Sequence, residues 1–509
     1  MRKLIKLEEP TLLFGRNQAI EDPRDGLTLF GPLDEGKPFG VRAGVIGTAD
    51  GIRRYKEFVE RLQHPLYEFA QKKKELKANR PLFPGFEAAF GIPWKPKPVM
   101  EITVSDEEID KAVYIGNNYL RVFRTVDLFA KRLIKAKNEE ETEVDIWFVV
   151  IPERIYKYCR PQSEVEVALR LKDEELSLTH SEAKKIQKTP SLFPDMNALI
   201  VPYEYELNFH NQLKARLLED KILTQIVRET TLTPDEFTKP SGRLLRPMGD
   251  FSAVAWRVST GVFYKIGGRP WKISDVRNGV CYIGLVYKQD ESAGDPRSAC
   301  CAAQMFLDSG DGVVFKGNVG PWYTPEKGDY HLDAEAAKEL VGKAVEHYQE
   351  KTGEPPKELF LHGKVIFNDE EWQGFNNAID RSKTNLVGVR IYIEKNFKLY
   401  RKGKMPVVRG TAYVRSKTKA YLWSNGYVPR LNTFPGIGVP KPLFIDVCRG
   451  DVKIETVLRD VFALTKLNYN TCQMADGQPV TLKFAEAVGE ILTAGPLKNV
   501  PPLPFKHYI

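Results

Sequence analysis

Few residues in this chain are spaced for chemistry, and those that are favour binding over bond breaking. Tyr156 and Arg160 stand four apart in Tyr156-Lys157-Tyr158-Cys159-Arg160. Pro152, just upstream, suits the first turn of a helix, and on a helix positions i and i+4 share a face. Such a face is either an aromatic plate and a guanidinium that meet one nucleotide, or a surface tyrosine beside a solvated arginine. Further on, two apolar, strand-like segments carry no carboxylate: Tyr282-Ile283-Gly284-Leu285-Val286-Tyr287, and the segment ending His362-Gly363-Lys364-Val365. Six cysteines form no C-x-x-C pair, which predicts reduced, mostly buried thiols rather than a zinc or disulfide framework.

The elements that must position these residues follow from apolar periodicity. Short apolar runs (Thr11-Leu12-Leu13-Phe14 and Gly44-Val45-Ile46-Gly47) alternate with helical stretches at 52–62 and 122–136. A buried-strand run at 144–151 feeds a short helix at 153–159. After a polar stretch at 163–189, a helix at 209–218 feeds a strand at 224–228. Strands feeding helices predict a parallel-sheet α/β domain ending near residue 235, with 234–246, rich in Pro, Gly and charge, as the linker. Beyond it come strands at 279–287 and 299–307, a turn at Asp311-Gly312 and a strand at 312–316. Asp333 then caps a helix whose Ala337, Leu340, Val341, Ala344, Val345 and Tyr348 make one apolar face, ended by Gly353-Glu354-Pro355-Pro356. A strand at 359–362, a helix at 370–379 and a strand at 386–393 complete the run. Three strands, helix, strand, helix, strand is the order of an RNase H-like fold. A nuclease on that fold holds two divalent metals with acids. Its first strand must supply an Asp, and here has none; Lys364, at the end of the fourth, puts a cation where a metal should sit.

Composition bounds the remaining classes. Of 509 residues, 42% are hydrophobic and 11% aromatic, which fits a folded protein and excludes disorder as the main state. Lysine plus arginine number 75 against 67 acids, a net of +8 that leans mildly toward anionic partners. Apolar runs such as Ile146-Trp147-Phe148-Val149-Val150-Ile151 are far shorter than the ~20 residues a bilayer needs. The start, Met1-Arg2-Lys3-Leu4-Ile5-Lys6, has no apolar stretch of the kind a signal peptide needs. A cytoplasmic protein without a membrane segment is expected. The basic stretch Lys72-Lys73-Lys74-Glu75-Leu76-Lys77 reads as an exposed loop or helix end.

Four segments together carry a family likeness: Lys265-Ile266-Gly267-Gly268-Arg269-Pro270-Trp271, Tyr282-Ile283-Gly284-Leu285, Leu464-Thr465-Lys466-Leu467-Asn468-Tyr469-Asn470 and Pro479-Val480-Thr481-Leu482-Lys483-Phe484-Ala485-Glu486. Along its whole length the chain resembles a short prokaryotic Argonaute, which has only MID and PIWI domains, and most of all the subgroup that works with a TIR-domain protein carrying an APAZ region. The resemblance implies an α/β architecture: a Rossmann-like MID domain with an N-terminal extension over 1–235 and an RNase H-like PIWI domain over 236–509. In such MID domains a tyrosine stacks on the first base of a guide and a cation four residues later holds its 5′ phosphate, the positions matched here by Tyr156 and Arg160. Lys214 is then a phosphate contact, Gln212 or His210 lies beside a bound metal, and Arg216 faces solvent. In the family the terminal carboxylate, here of Ile509, helps to bind one Mg²⁺ shared with the guide phosphates, work that suits a hard cation. Cleaving members have an aspartate where this chain has Val286 and a second at the position of Lys364. Glu486 matches the last member of their catalytic tetrad. Arg381, Lys383, Lys398, Arg401, Lys402, Lys404, Arg415, Lys417 and Lys419 are candidates for the wall of a duplex channel, whose backbone contacts would be salt-dependent.

These implications add up to a subunit without catalysis of its own. It binds guide RNA, senses complementary single-stranded DNA, and switches on the NAD⁺-degrading TIR domain of a TIR-APAZ partner, as a heterodimer that assembles further on activation. That is anti-plasmid or anti-phage defence by NAD⁺ depletion. Two rivals stand beside it: a guided endonuclease built on Glu486, Asp290, Asp369 and Glu370, and a guide-binding subunit for a different effector.

Overall fold

The computed structural model describes residues 2–67, 82–171, 178–248, 250–274, 277–289, 297–307, 312–324, 326–434, 438–497 and 501–509. The basic stretch at 72–77, Asp290 and Asp311 lie outside them. In chain order the strands used below are β1 (Lys3–Lys6), β2 (Ala43–Gly47), β3 (Met100–Thr103), β4 (Ile146–Ile151), β5 (Thr224–Arg228), β6 (Val280–Gln289), β7 (Ala299–Phe306), β8 (Gly312–Gly320), β9 (Glu358–Gly363), β10 (Asn385–Ile393), β11 (Thr411–Val414), β12 (Lys419–Trp423), β13 (Leu443–Arg449) and β14 (Leu503–Pro504). The helices are α1 (Ala49–Leu62), α2 (Asn118–Glu139), α3 (Glu153–Tyr158), α4 (Phe209–Leu217), α5 (Phe251–Lys265), α6 (Ala334–Thr352), α7 (Asp369–Asn377) and α8 (Ala485–Leu492).

The first half is a four-stranded, all-parallel sheet in the order β3-β2-β4-β5. Every residue of β2 and β4 is buried. A strand covered on both faces must be apolar throughout, and parallel strands need crossover helices, which supply that cover. The helices start where side chains can satisfy their free N–H groups: Gly51 N donates to Thr48 Oγ1 at 2.9 Å before α1, and Tyr119 N to Asn117 Oδ1 at 3.0 Å before α2.

The second half is built on a ten-stranded sheet in the order β1-β11-β12-β13-β10-β9-β6-β7-β8-β14. Its middle follows the predicted run: β6, β7 and β8 are antiparallel, α6 crosses, β9 lies parallel to β6, α7 crosses, and β10 lies parallel to β9. Asp333 caps α6 through the Ala336 N–H at 2.8 Å, and Gly353 closes it in the left-handed conformation. The third strand runs to Gly320, beyond the predicted 316: past Lys316 the register with β7 shifts, and the ladder resumes at Val319 and Gly320. At Gly320 an added Cβ would meet the Trp322 ring at 2.4 Å.

The N-terminal extension, placed by sequence with residues 1–235, pairs with the other half. Lys3 to Lys6 lie antiparallel to β11, and Leu12–Leu13 pairs with Lys272–Ile273. A four-residue strand whose partner lies four hundred residues away leaves no local signal. Behind it Glu9 binds Arg409 at 3.0 Å and Lys466 at 2.9 Å, both cations almost fully buried. One apolar cluster runs through both halves, from Val45 and Phe148 through Trp256 and Phe263 to Phe360 and Ile391. The six cysteines form no disulfide, and all but Cys448 are buried. Among the described residues no helix is long and apolar enough to cross a membrane.

Candidate nucleic-acid interface

α3 leaves the end of β4 and stops at Tyr158, two residues short of Arg160. The helical i, i+4 face is therefore not what joins Tyr156 to Arg160. A tight turn does so instead: Ser163 N donates to Arg160 O at 3.2 Å and Ser163 Oγ to Tyr158 O at 2.5 Å. Buried Arg121 fastens the same turn from below, donating to Tyr158 O at 3.0 Å and Ser163 O at 2.8 Å. The Arg160 guanidinium ends 4.2 Å from the centre of the Tyr156 ring. Two further arginines, which the sequence did not single out, gather there. Arg228, at the end of β5, stands 3.6 Å from the ring centre and is ion-paired with Glu153. Arg246 feels the charges of Arg228, Glu153 and Tyr156, and its pKa lies below the usual arginine range chiefly because it is shielded from water.

Phe209 N donates to Cys159 O at 3.1 Å, which sets the start of α4 against this turn. On α4, Lys214 is 3% exposed, and its Nζ donates to the main-chain oxygen of Ile509 at 2.6 Å. Burial lowers its pKa to about 7. Lys265, the last residue of α5, is equally buried and donates to Thr224 O at 3.1 Å and Gln225 Oε1 at 2.9 Å; burial, then Lys214, pushes its pKa well down. His507 is lowered to about 3 by burial and then by four positive neighbours, Lys506, Lys214, Lys221 and Lys265. Solvent reaches His210 although protein surrounds it on most sides, as for a residue lining a concavity; its surroundings and Lys214 lower it to about 4. Lysines and histidines thus converge on one spot where burial first, and positive neighbours second, disfavour their charged forms, a penalty that an arriving anion would relieve. Arg216 does not face open solvent: it is ion-paired to Asp127 and lies over Phe123.

Hard oxygens are on hand beside these cations. Gln212 Nε2 donates to Glu206 O at 3.0 Å, but its Oε1 is buried without a hydrogen-bond partner. A buried amide oxygen left unsatisfied is costly unless a donor or cation arrives. Like the Ile509 oxygen, which Lys214 holds, it is a hard oxygen of the kind Mg²⁺ takes.

The acid-poor strands meet as the register requires. β9 and β6 pair in parallel as far as His362 opposite Gly284; Val286 lies two residues further along β6, and Lys364 falls in the bend just after β9 ends at Gly363. Val286 is 1% exposed and packs with Ala302, Ala485 and Val488; Lys364 is exposed. Glu486, in the first turn of α8, is exposed. Of the rival acids, Asp369 is held by Arg449 at 2.6 Å, and Glu370 is exposed in the first turn of α7. Among the described residues no group of three or more His, Cys, Asp or Glu side chains could hold a metal ion. The glycine of Tyr282-Ile283-Gly284-Leu285 has its own cause: a Cβ there would stand 1.9 Å from Thr481 O, so this segment and Pro479–Glu486 meet backbone to backbone.

The candidate channel residues do not form one stripe. Arg381 and Lys383 precede β10, at the end of the sheet opposite to Val286 and Lys364. Arg401 and Lys402 lie in the exposed loop before β11, Arg401 5.7 Å from the Tyr427 ring, and Arg415 is exposed just after β11. Two arginines overlooked in sequence, Arg390 and Arg449, line a cavity of about 430 Å³ together with Lys364 and His331.

No family model and no curated protein sequence matches the chain. Solved structures do. Clostridium butyricum Argonaute bound to a guide DNA and a 19-mer target DNA superposes with a TM-score of 0.62 at 16% identity, over 97% of this chain and 53% of that one. The chain has the MID–PIWI fold of Argonaute. Drosophila Piwi matches at a TM-score of 0.58 and 13% identity over 99% of this chain and 56% of its own, and Aquifex aeolicus Argonaute at 0.55 and 14% over 99% and 57%. The chain therefore spans a little over half the length of these proteins. In MID–PIWI terms, the cation cluster is assembled by the MID helix α4, the connecting helix α5 and the last residues of the PIWI half. Lys265 and Lys506 were legible only as parts of motifs, since nothing local marks a lysine as buried.

Proposed function

We propose that this protein loads a guide RNA by its 5′ end and uses it to sense complementary single-stranded DNA. The observation that carries the reading is the set of basic side chains gathered around Lys214, whose charged forms are disfavoured by burial first, and for Lys265 and His507 by positive neighbours as well, and which a terminal phosphate would favour. Lys214, Lys265 and Lys506 would take the phosphate oxygens and Tyr156 the first base. Gln212, His210 and Ile509 would hold Mg²⁺, which supplies further positive charge to the guide phosphates when bound. The similar Clostridium butyricum Argonaute is bound to a guide and a target strand, which supports nucleic acid as the ligand class.

The PIWI half, in this reading, holds the duplex without cutting it. Val286 and Lys364 stand at the sequence positions matched to the carboxylates that a two-metal hydrolase needs, and a lysine there repels metal ions. Output then falls to a partner, a TIR-APAZ protein whose TIR domain degrades NAD⁺ once guide and target have paired. Target can switch that partner only by binding the active assembly better than the inactive one. The first test is affinity for 5′-phosphorylated against 5′-hydroxyl RNA of one sequence: a preference for the phosphate is expected, and equal affinity would sink the pocket. The second is copurification: sequencing the bound nucleic acid, identifying the bound protein and assaying NAD⁺ loss on adding complementary DNA. A partner without an NAD⁺-degrading activity would retire the TIR assignment.

A further inference from the structure

Tyr156 is covered by guanidinium on both faces. Arg228 stands 3.6 Å and Arg160 4.2 Å from the ring centre. Two planar cations that near one ring centre on the same face would overlap each other, so they lie on opposite faces. The two are held very differently. Arg228 is pinned by Glu153, which takes its Nε at 3.2 Å and its Nη2 in a second bond, while Glu153 is steadied by Thr230 Oγ1 at 3.4 Å. Arg160 is exposed; its hydrogen bonds run through its main chain, in the Ser163 turn, so its backbone is fixed while, among the described residues, its side chain has no anchor beyond the ring.

We propose that Arg228 is the fixed backing plate of the first-base platform, and that Arg160 is a displaceable cover which leaves the ring for the guide's 5′ phosphate as the base stacks in its place. The inference rests on the reading of this pocket as a guide 5′-end site and adds two roles to it. Arg228 is a positioning residue: it keeps the Tyr156 ring flat and stationary from behind, through a contact of the strength that guanidinium–aromatic pairs supply. Arg160 acts as a coupling device. Uncovering the ring costs its cation–π contact, and a 5′ phosphate repays that cost through a charge-assisted hydrogen bond. A guide without the phosphate faces the cost with no return.

Three RNA probes of one sequence separate the roles: 5′-phosphorylated, 5′-hydroxyl, and 5′-phosphorylated but abasic at the first nucleotide. Equilibrium binding is measured for wild type, Arg160→Ala, Arg228→Ala and Arg228→Lys. Arg160→Ala should weaken the phosphorylated guide by about tenfold or more and tighten the hydroxyl guide by a few-fold, about threefold, because the cover is gone. Equal weakening of both guides by this variant overturns the cover. Arg228→Ala should weaken the phosphorylated guide by about tenfold while leaving the abasic guide nearly unchanged, and Arg228→Lys, which keeps the charge but loses the plate, should follow it. Equal losses on the abasic guide, or full rescue by lysine, overturn the backing plate. Wild-type protein that binds phosphorylated and hydroxyl guides alike overturns the 5′-end pocket itself, an outcome distinct from either.

Discussion

Lys214 is the residue whose environment makes the sharpest demand. Burial holds it near pH 7 in the free protein, and a bound phosphate must raise it. Between those two values binding takes up a proton, so guide affinity should fall as pH rises above about 7, by at most tenfold per unit. Calorimetry in buffers of different ionisation enthalpy would show the uptake; a binding enthalpy independent of buffer at pH 8 would contradict it. The sign for stability is the reverse. The unfolded chain holds this proton up to the ordinary lysine range and the native protein only to about 7, so across that window native stability rises with pH. Lys214→Met should abolish preference for a 5′ phosphate, a loss of about 1.5–3 kcal/mol, while leaving the unfolding midpoint at pH 7 unchanged or higher. A lowered midpoint would mean that the Ile509 bond matters more to the fold than the buried charge harms it.

At the scale of elements, what the sequence made legible was what local pattern encodes. The buried run 146–151, the capped helix behind Asp333 and the β6-to-β10 order all carry their signal within a few neighbouring residues. Contacts made across the chain were silent: β1 in the far sheet, Arg228 and Arg246 beside Tyr156, Lys265 beneath Lys214. Tyr156 and Arg160 meet through a different element from the expected one, since a turn held by Ser163 and Arg121 replaces the helical face. Gly284 illustrates how a motif residue gains its reason only in three dimensions. Gly284→Ala must displace the Thr481 backbone, and a loss of about 1–3 kcal/mol in chemical denaturation is expected; an unchanged midpoint would show that the strand and the 480–483 turn slide apart freely. Restoring one acid should not restore cutting. Val286→Asp buries a charge among Ala302, Ala485 and Val488, with no second carboxylate at Lys364. It should destabilise by a few kcal/mol, about 2–5, and yield no Mg²⁺-dependent cleavage of a matched target. Cleavage by that single variant would return the endonuclease reading.

At the scale of the whole molecule, the two halves share one apolar core and exchange their ends. Residues 3–6 complete the PIWI sheet, and the Ile509 oxygen reaches the MID helix α4. A continuous apolar interface favours unfolding in a single calorimetric transition, where two separated peaks would show independent domains. Removing residues 2–9 leaves Arg409 and Lys466 buried without Glu9; breaking a buried pair in this way costs about 3–5 kcal/mol, and the whole transition should move down in temperature. The exchanged ends have a consequence for proteolysis. The segment 239–245 between the halves is exposed throughout and is the natural place for a protease to nick. Each fragment would then keep a strand or a tail lodged in its counterpart, so the clipped protein should migrate on a native gel as one particle and come apart only in denaturant.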